Sequence, residues 1–182
     1  MISARSATLL ADGRVLVDGG AGLNNITSYP AELYDPRTGT FAETGTMTLP
    51  RLKPTAILMP DGRVLLIGGR DYVASVSGQP FGAPEAYDPA TGTFAPLPWD
   101  WAKTNLLTTA TQLSDGRILA LFADREPAVV DALTGRATSA GPLPLAQADG
   151  VSATALADGR VLLVVPGDTP QAEVFDPRTL TP

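Results

Sequence analysis

Leu58-Met59-Pro60-Asp61-Gly62-Arg63-Val64-Leu65-Leu66-Ile67-Gly68-Gly69 decides the reading of this chain, because a version of it occurs four times. The other copies run through Asp12-Gly13-Arg14-Val15-Leu16-Val17, Asp115-Gly116-Arg117-Ile118-Leu119-Ala120 and Asp158-Gly159-Arg160-Val161-Leu162-Leu163, at successive offsets of 49, 54 and 43 residues. Asp-Gly between two apolar runs is a hairpin signal, and a type I′ turn is expected, with Gly supplying one of its two positive φ angles. Each copy then predicts two strands meeting at that turn.

Working outward, a second turn follows in each copy. After Gly19-Gly20 a looser segment leads to Ala31-Glu32-Leu33-Tyr34, then Asp35-Pro36-Arg37-Thr38-Gly39, then Thr40-Phe41-Ala42. Asp bonds its own following backbone, Pro fixes φ and Gly takes the left-handed position, so two more strands are expected. The second copy repeats this grammar with Glu85-Ala86-Tyr87-Asp88-Pro89 and Thr91-Gly92-Thr93-Phe94. The third is degraded, with Val129-Val130-Asp131 and Thr134-Gly135, and the fourth reaches Glu173-Val174-Phe175-Asp176-Pro177-Arg178-Thr179 before Pro182, where its fourth strand is due.

The second strand of each copy is a nearly continuous apolar run: Val64 to Ile67, Ile118 to Phe122, Val161 to Val165. Alternation would mean one wet face, whereas a continuous run bounded by turns predicts burial on both. Four-stranded sheets packed between like sheets meet that requirement. The expected fold is therefore all-β, a β-propeller of four-stranded antiparallel blades in one domain, with repeats at about 1–49, 50–102, 103–145 and 146–182.

Composition agrees and removes much chemistry. Eighteen Gly and 17 Pro in 182 residues suit many short elements joined by turns. The chain has no Cys and no His, which excludes disulfides, thiolate catalysis, Ser-His-Asp triads and the usual zinc or copper sites, so no cofactor is expected. A net charge of -6, with Lys53 and Lys103 the only lysines, leaves no basic surface for nucleic acid. No run is long and apolar enough for membrane insertion, and Met1-Ile2-Ser3-Ala4-Arg5-Ser6 is no signal peptide. As written the chain reads as cytoplasmic, with an exported or cell-surface parent protein also compatible.

At these residues the chain resembles a run of kelch repeats of the bacterial type, in the galactose-oxidase-like propeller superfamily. The resemblance rests on Gly19-Gly20 and Gly68-Gly69, on Tyr34, Tyr87 and Phe175, on the Asp-Pro-x-Thr-Gly turns, and on Phe41 and Phe94. It departs at Ala123-Asp124, Val130 and Ala132 in the third copy and at Pro166-Gly167 in the fourth. The resemblance implies rings of six or seven blades closed by pairing both chain ends in one blade. Four copies, the last without its fourth strand, point to an open arc or fragment, ahead of a four-bladed ring or a ring made by two chains. Incomplete propeller edges would then favour self-association.

Strand parity sorts the loops by face. The Asp-Gly and Asp-Pro turns share one short, uniform face, and the long, varied links share the other, where binding residues are expected. On that face Trp99-Asp100-Trp101-Ala102-Lys103 is a candidate platform for a sugar ring or peptide side chain, against the alternative that the indoles pack between blades. Arg70 and Tyr72 in the longest loop and Arg125 in Asp124-Arg125-Glu126 are further candidates, against local ion pairing. Arg14, Arg63, Arg117 and Arg160 read as turn residues. Asn25-Ile26-Thr27 spells a glycosylation sequon, and Asp18, Asp149 and Asp168 are isolated oxygen donors without a spaced ligand loop.

Two function classes follow. One is a noncatalytic interaction scaffold binding a protein or glycan. The other is part of a propeller enzyme acting on carbohydrate; the copper chemistry implied by the superfamily needs histidine and a thioether-linked cysteine, so carboxylate catalysis would have to replace it. No catalytic pair stands out from the turn aspartates.

Overall fold

The computed structural model describes residues 6–18, 30–48, 51, 54–69, 83–99, 107–123, 126–147 and 150–180. Sheet I comprises β1 (Ser6–Leu9), β2 (Val15–Asp18), β3 (Pro30–Asp35) and β4 (Thr40–Thr46). Sheet II comprises β5 (Thr55–Leu58), β6 (Val64–Ile67), β7 (Glu85–Asp88) and β8 (Thr93–Pro96). Sheet III comprises β9 (Leu107–Gln112), β10 (Ile118–Phe122), β11 (Ala128–Val130) and β12 (Ala137–Ser139), and sheet IV β13 (Ser152–Ala155), β14 (Val161–Val165) and β15 (Gln171–Phe175). Each is an antiparallel meander in chain order, so the protein is all-β, with one sheet per sequence copy. A 3-10 turn, Pro144–Gln147, precedes sheet IV. No described helix is long and apolar enough to cross a membrane.

The Asp-Gly hairpins correct the turn type. Leu10 N donates to Arg14 O at 2.8 Å, Gly13 N donates to Leu10 O at 3.0 Å, and Gly13 has φ 88°. The same pair of bonds closes Met59 to Arg63, Leu113 to Arg117 and Leu156 to Arg160. Each is a three-residue loop, a type I turn followed by a left-handed glycine bulge, and not a two-residue type I′ turn. The four aspartates keep ordinary negative φ, since Leu180 is the one non-glycine with positive φ among the described residues. That conformation costs an Asp less than the left-handed one, and its carboxylate can then accept the N–H two residues on. Asp12 Oδ1 does so from Arg14 N at 3.0 Å.

The Asp-Pro turns follow expectation: Asp35 O accepts Gly39 N at 2.8 Å, Asp35 Oδ1 accepts Arg37 N at 2.8 Å, and Gly39 has φ 70°. In sheet IV Leu180 occupies the glycine position of this turn, with φ 58°.

The chain divides into two compact units, Met1–Asn105 and Leu106–Pro182. In the first, sheets I and II stack with β1 beside β5 and β4 beside β8. Leu16, Ala31 and Leu33 of sheet I meet Val64, Leu66 and Tyr87 of sheet II in one core, closed by Leu10 and Met47. Tyr87 Oη lies 2.9 Å from Thr44 Oγ1 across the stack. β4 comes so close to the turn after β7 that a Cβ at Gly45 would collide with the carbonyl oxygen of Gly92. In the second unit β9 lies beside β13, and Leu119, Leu121 and Val129 pack against Val161, Leu163 and Phe175.

Burial on both faces holds for two of the three apolar runs and fails for the third. Every residue of β6 and β10 is buried. In β14 Val161 and Leu163 are buried while Leu162, Val164 and Val165 are half-exposed. Val161 and Leu163 point at sheet III; the opposite face of sheet IV is left partly in solvent.

Candidate functional site

The two ends of the sheets differ in chemistry. At the turn end, Arg14 donates from Nε to Asp12 Oδ2 at 2.8 Å and its Nη2 lies 2.7 Å from the same oxygen. Arg63, Arg117 and Arg160 repeat this with Asp61, Asp115 and Asp158 at the same distances. Arg117 also donates from Nη2 to Pro177 O at 3.2 Å, joining a hairpin of sheet III to the Asp-Pro turn of sheet IV. Hydrogen bonds from the arginine side chains are the main reason that Asp12, Asp115 and Asp158 sit below the usual carboxylate range. For Asp176, bonded by Arg178, the value falls to about 2. These groups satisfy one another within their own turns.

In the first unit, the other end of the sheets holds a buried ion pair. Glu85 opens β7 and Arg51 stands in the link between sheets I and II, with 0% and 3% of their side chains exposed. Arg51 donates from Nε to Glu85 Oε1 at 3.3 Å, from Nη1 to Gly68 O at 3.0 Å, and from Nη2 to Ala83 O. Glu85 Oε2 accepts Thr48 N at 2.6 Å and Thr48 Oγ1 at 2.8 Å. Burial pulls the Arg51 pKa below its ordinary value, and Glu85 partly restores it by charge and hydrogen bond. With both carboxylate oxygens and the guanidinium engaged, the pair is a clamp that gathers the link, the end of β6 and the start of β7.

Sequence reasoning missed this clamp. Glu85 was visible as part of a repeated Glu-x-Tyr-Asp-Pro stretch, but Arg51 is 34 positions upstream and no local pattern joins them. Asp18 was missed in part as well: it ends β2 fully buried and accepts Ser6 Oγ at 2.8 Å, where the other copies place Ile67, Leu121 and Val164.

Of the predicted binding residues, Trp99 follows β8 and is buried, 4% exposed, with its backbone N–H donating to Leu97 O at 2.8 Å. Trp101, Lys103, Arg70, Tyr72 and Arg125 lie outside the described residues, as do Asn25-Ile26-Thr27 and Asp149. Glu126 Oε2 accepts Ser139 Oγ at 2.6 Å, which ties the loop before β11 to β12. Asp168 is exposed in the loop after β14. The described residues contain no cluster of three or more potential metal-binding side chains.

No protein-family model matches the chain, and no curated protein aligns with it. Among solved structures it is similar to a novel fungal alcohol oxidase of the AA5 family in complex with copper, at 18% identity and TM-score 0.57. The match covers 98% of this chain and 52% of the oxidase, so the chain spans about half the length of that protein. At that identity the likeness concerns the fold alone, an all-β arrangement of antiparallel sheets.

Proposed function

We propose that the chain is a noncatalytic kelch-like scaffold, a partial propeller of bacterial type, that binds a protein or glycan through its variable loop end. What carries this reading is the contrast between the ends: the turn end is closed by its own Asp-Arg bonds, whereas at the other end of the first unit Arg51 and Glu85 form a buried pair and the connecting segments differ widely in length. A rigid floor under varied loops is the usual construction of a recognition surface. Arg70, Tyr72, Trp101, Lys103 and Arg125 are the proposed contact residues, and Trp99, two positions before Trp101 in sequence, is buried.

The test is a glycan and peptide array run beside a glycosidase panel. Trp101→Ala and Arg70→Ala should abolish the binding found, with the thermal midpoint unchanged. Turnover removed by a single carboxylate substitution would sink the scaffold reading.

A second reading, part of a propeller enzyme acting on carbohydrate, is favoured by the fold-level likeness to an alcohol oxidase. Copper does not fit these residues: the 182 residues contain neither the histidine nor the cysteine that such a centre takes as ligands. An enzyme built on this chain would depend on carboxylates.

A further inference from the structure

Residues directly paired across an antiparallel sheet point to one face, so register lists each face by rows. In sheet II one row is Leu58, Val64, Tyr87 and Phe94. This row packs on sheet I, against the face carrying Leu16 and Leu33, and its two central members are fully buried. In sheet IV the same row is Ala155, Val161 and Phe175, and it packs on sheet III against Leu119 and Val129. Both stacks therefore use one rule, in which a sheet lays its aromatic row on the preceding sheet's row of Thr, Leu and an aliphatic residue. Those receiving rows are Thr8, Leu16 and Leu33 in sheet I and Thr111, Leu119 and Val129 in sheet III.

Among the described residues, one row of sheet I and one row of sheet IV lie open on the faces turned away from these stacks. Sheet I carries Leu9, Val15, Tyr34 and Phe41, the same four residue types as the sheet II aromatic row. Leu9 is 63% exposed and Phe41 58% exposed, and Val15 and Tyr34 are half-exposed. Sheet IV carries Thr154, Leu162 and Val174, a copy of the receiving row, with Thr154 exposed and the other two half-exposed. Contiguous apolar side chains on an open sheet face are unusual in a monomer and mark an interaction surface.

We propose that these two faces are the halves of one heterologous interface, and that a second copy of this chain lays the Leu9-Val15-Tyr34-Phe41 row of its sheet I on the Thr154-Leu162-Val174 row of sheet IV. The occupant is named by the fold itself, because the open faces continue a stacking order that the chain already uses twice. The turn end supplies a second point of register. Arg117 of a receiving sheet donates to Pro177 O in the Asp-Pro turn of the sheet laid on it. Arg160 is the equivalent residue of sheet IV and Pro36 that of sheet I, so Arg160 would donate to Pro36 O of the second copy. Such a contact joins unlike faces and leaves one of each kind free, so assembly proceeds head to tail. It uses sheet faces and does not depend on what the variable loops bind.

The test is sedimentation velocity and light scattering on the 182-residue chain over a wide concentration range, with two blocked variants. Leu9→Glu/Phe41→Glu blocks the aromatic row and Thr154→Glu/Leu162→Glu blocks the receiving row. Wild type should form dimers and larger multiples, and each variant alone should associate roughly 100-fold more weakly, as expected for charges placed at the centre of an apolar contact. An equimolar mixture of the two variants should recover a one-to-one dimer that stops at two. Circular dichroism and thermal midpoints confirm folding; if the receiving-row pair unfolds, Thr154→Glu alone replaces it. A chain that is monomeric at all concentrations overturns the proposal, and so does self-association by the receiving-row variant alone, which would mean a symmetric contact between aromatic rows.

Discussion

Strands β6 and β2 occupy the same place in their repeats and carry nearly the same residues, Val64-Leu65-Leu66-Ile67 against Val15-Leu16-Val17-Asp18. β6 is buried throughout, whereas β2 alternates between buried and half-exposed. β10 and β14 differ in the same way in the second unit. An apolar run in this repeat therefore states what a strand can bury, and the neighbours of its sheet decide what it does bury. β6 of sheet II and β10 of sheet III are buried along their whole length, while sheets I and IV each keep one apolar row open.

The widest gap should appear between equivalent tyrosines. Tyr87 and Tyr34 each stack on the phenylalanine of the next strand, with ring centroids 4.9 Å apart in both cases. Tyr87 is fully buried and bonded to Thr44, while Tyr34 is half-exposed. Tyr87→Ala should cost about 3–5 kcal/mol and Tyr34→Ala about 1 kcal/mol, read by urea unfolding at low chain concentration. Equal losses would erase the distinction between the sheets. A Tyr34 loss that grows with chain concentration would sharpen it, since association covers that row.

The clamp at the loop end gives the next largest effect. Glu85→Ala leaves a buried guanidinium without its carboxylate and should cost about 3–4 kcal/mol, while the half-exposed Glu173 at the same repeat position in sheet IV should cost at most about 1 kcal/mol. Arg51→Met/Glu85→Leu should recover much of the loss, because both charges leave the interior together. Chemical denaturation of the four proteins measures it.

Acid should produce the smallest and least selective change, because Asp-turn bonds occur in every sheet. Asp12, Asp115, Asp158 and Asp176 are held below the ordinary value of 3.8 in the folded chain. Groups lowered on folding stabilise the fold above their unfolded pKa and lose that effect as pH falls through the folded one. The thermal midpoint should be level at neutral pH and fall from about pH 4 towards about pH 2, and Asp176→Asn should flatten the lowest part of that fall. A midpoint that drops near neutrality would point to other groups.

The strand order and the role of the arginines were legible because they depend on neighbours a few residues apart. Asp12 captures Arg14 and Asp35 captures Arg37 from two positions away, and Gly39 needs only its own freedom at positive φ. The hairpin type was misjudged at one dihedral, since Asp-Gly suits two turns and an Asp at ordinary φ prefers the three-residue loop. The candidate site was less legible. Trp99 could be read as a platform or as packing, and its burial follows from neighbours that a local pattern does not specify.

What the sequence determined by itself was the number of repeats, the all-β class and the apolar rows on every strand, each set by local turn chemistry and by the two-residue period of a strand. Only tertiary structure decided which of those rows are covered. Leu58-Val64-Tyr87-Phe94 and Leu9-Val15-Tyr34-Phe41 are the same four residue types in the same order, and one is core while the other is surface. The Arg51-Glu85 clamp belongs to the same class, because two residues 34 positions apart become partners only when one sheet is stacked on another. Burial is a property of what lies opposite a residue, and that is not written in the residue itself.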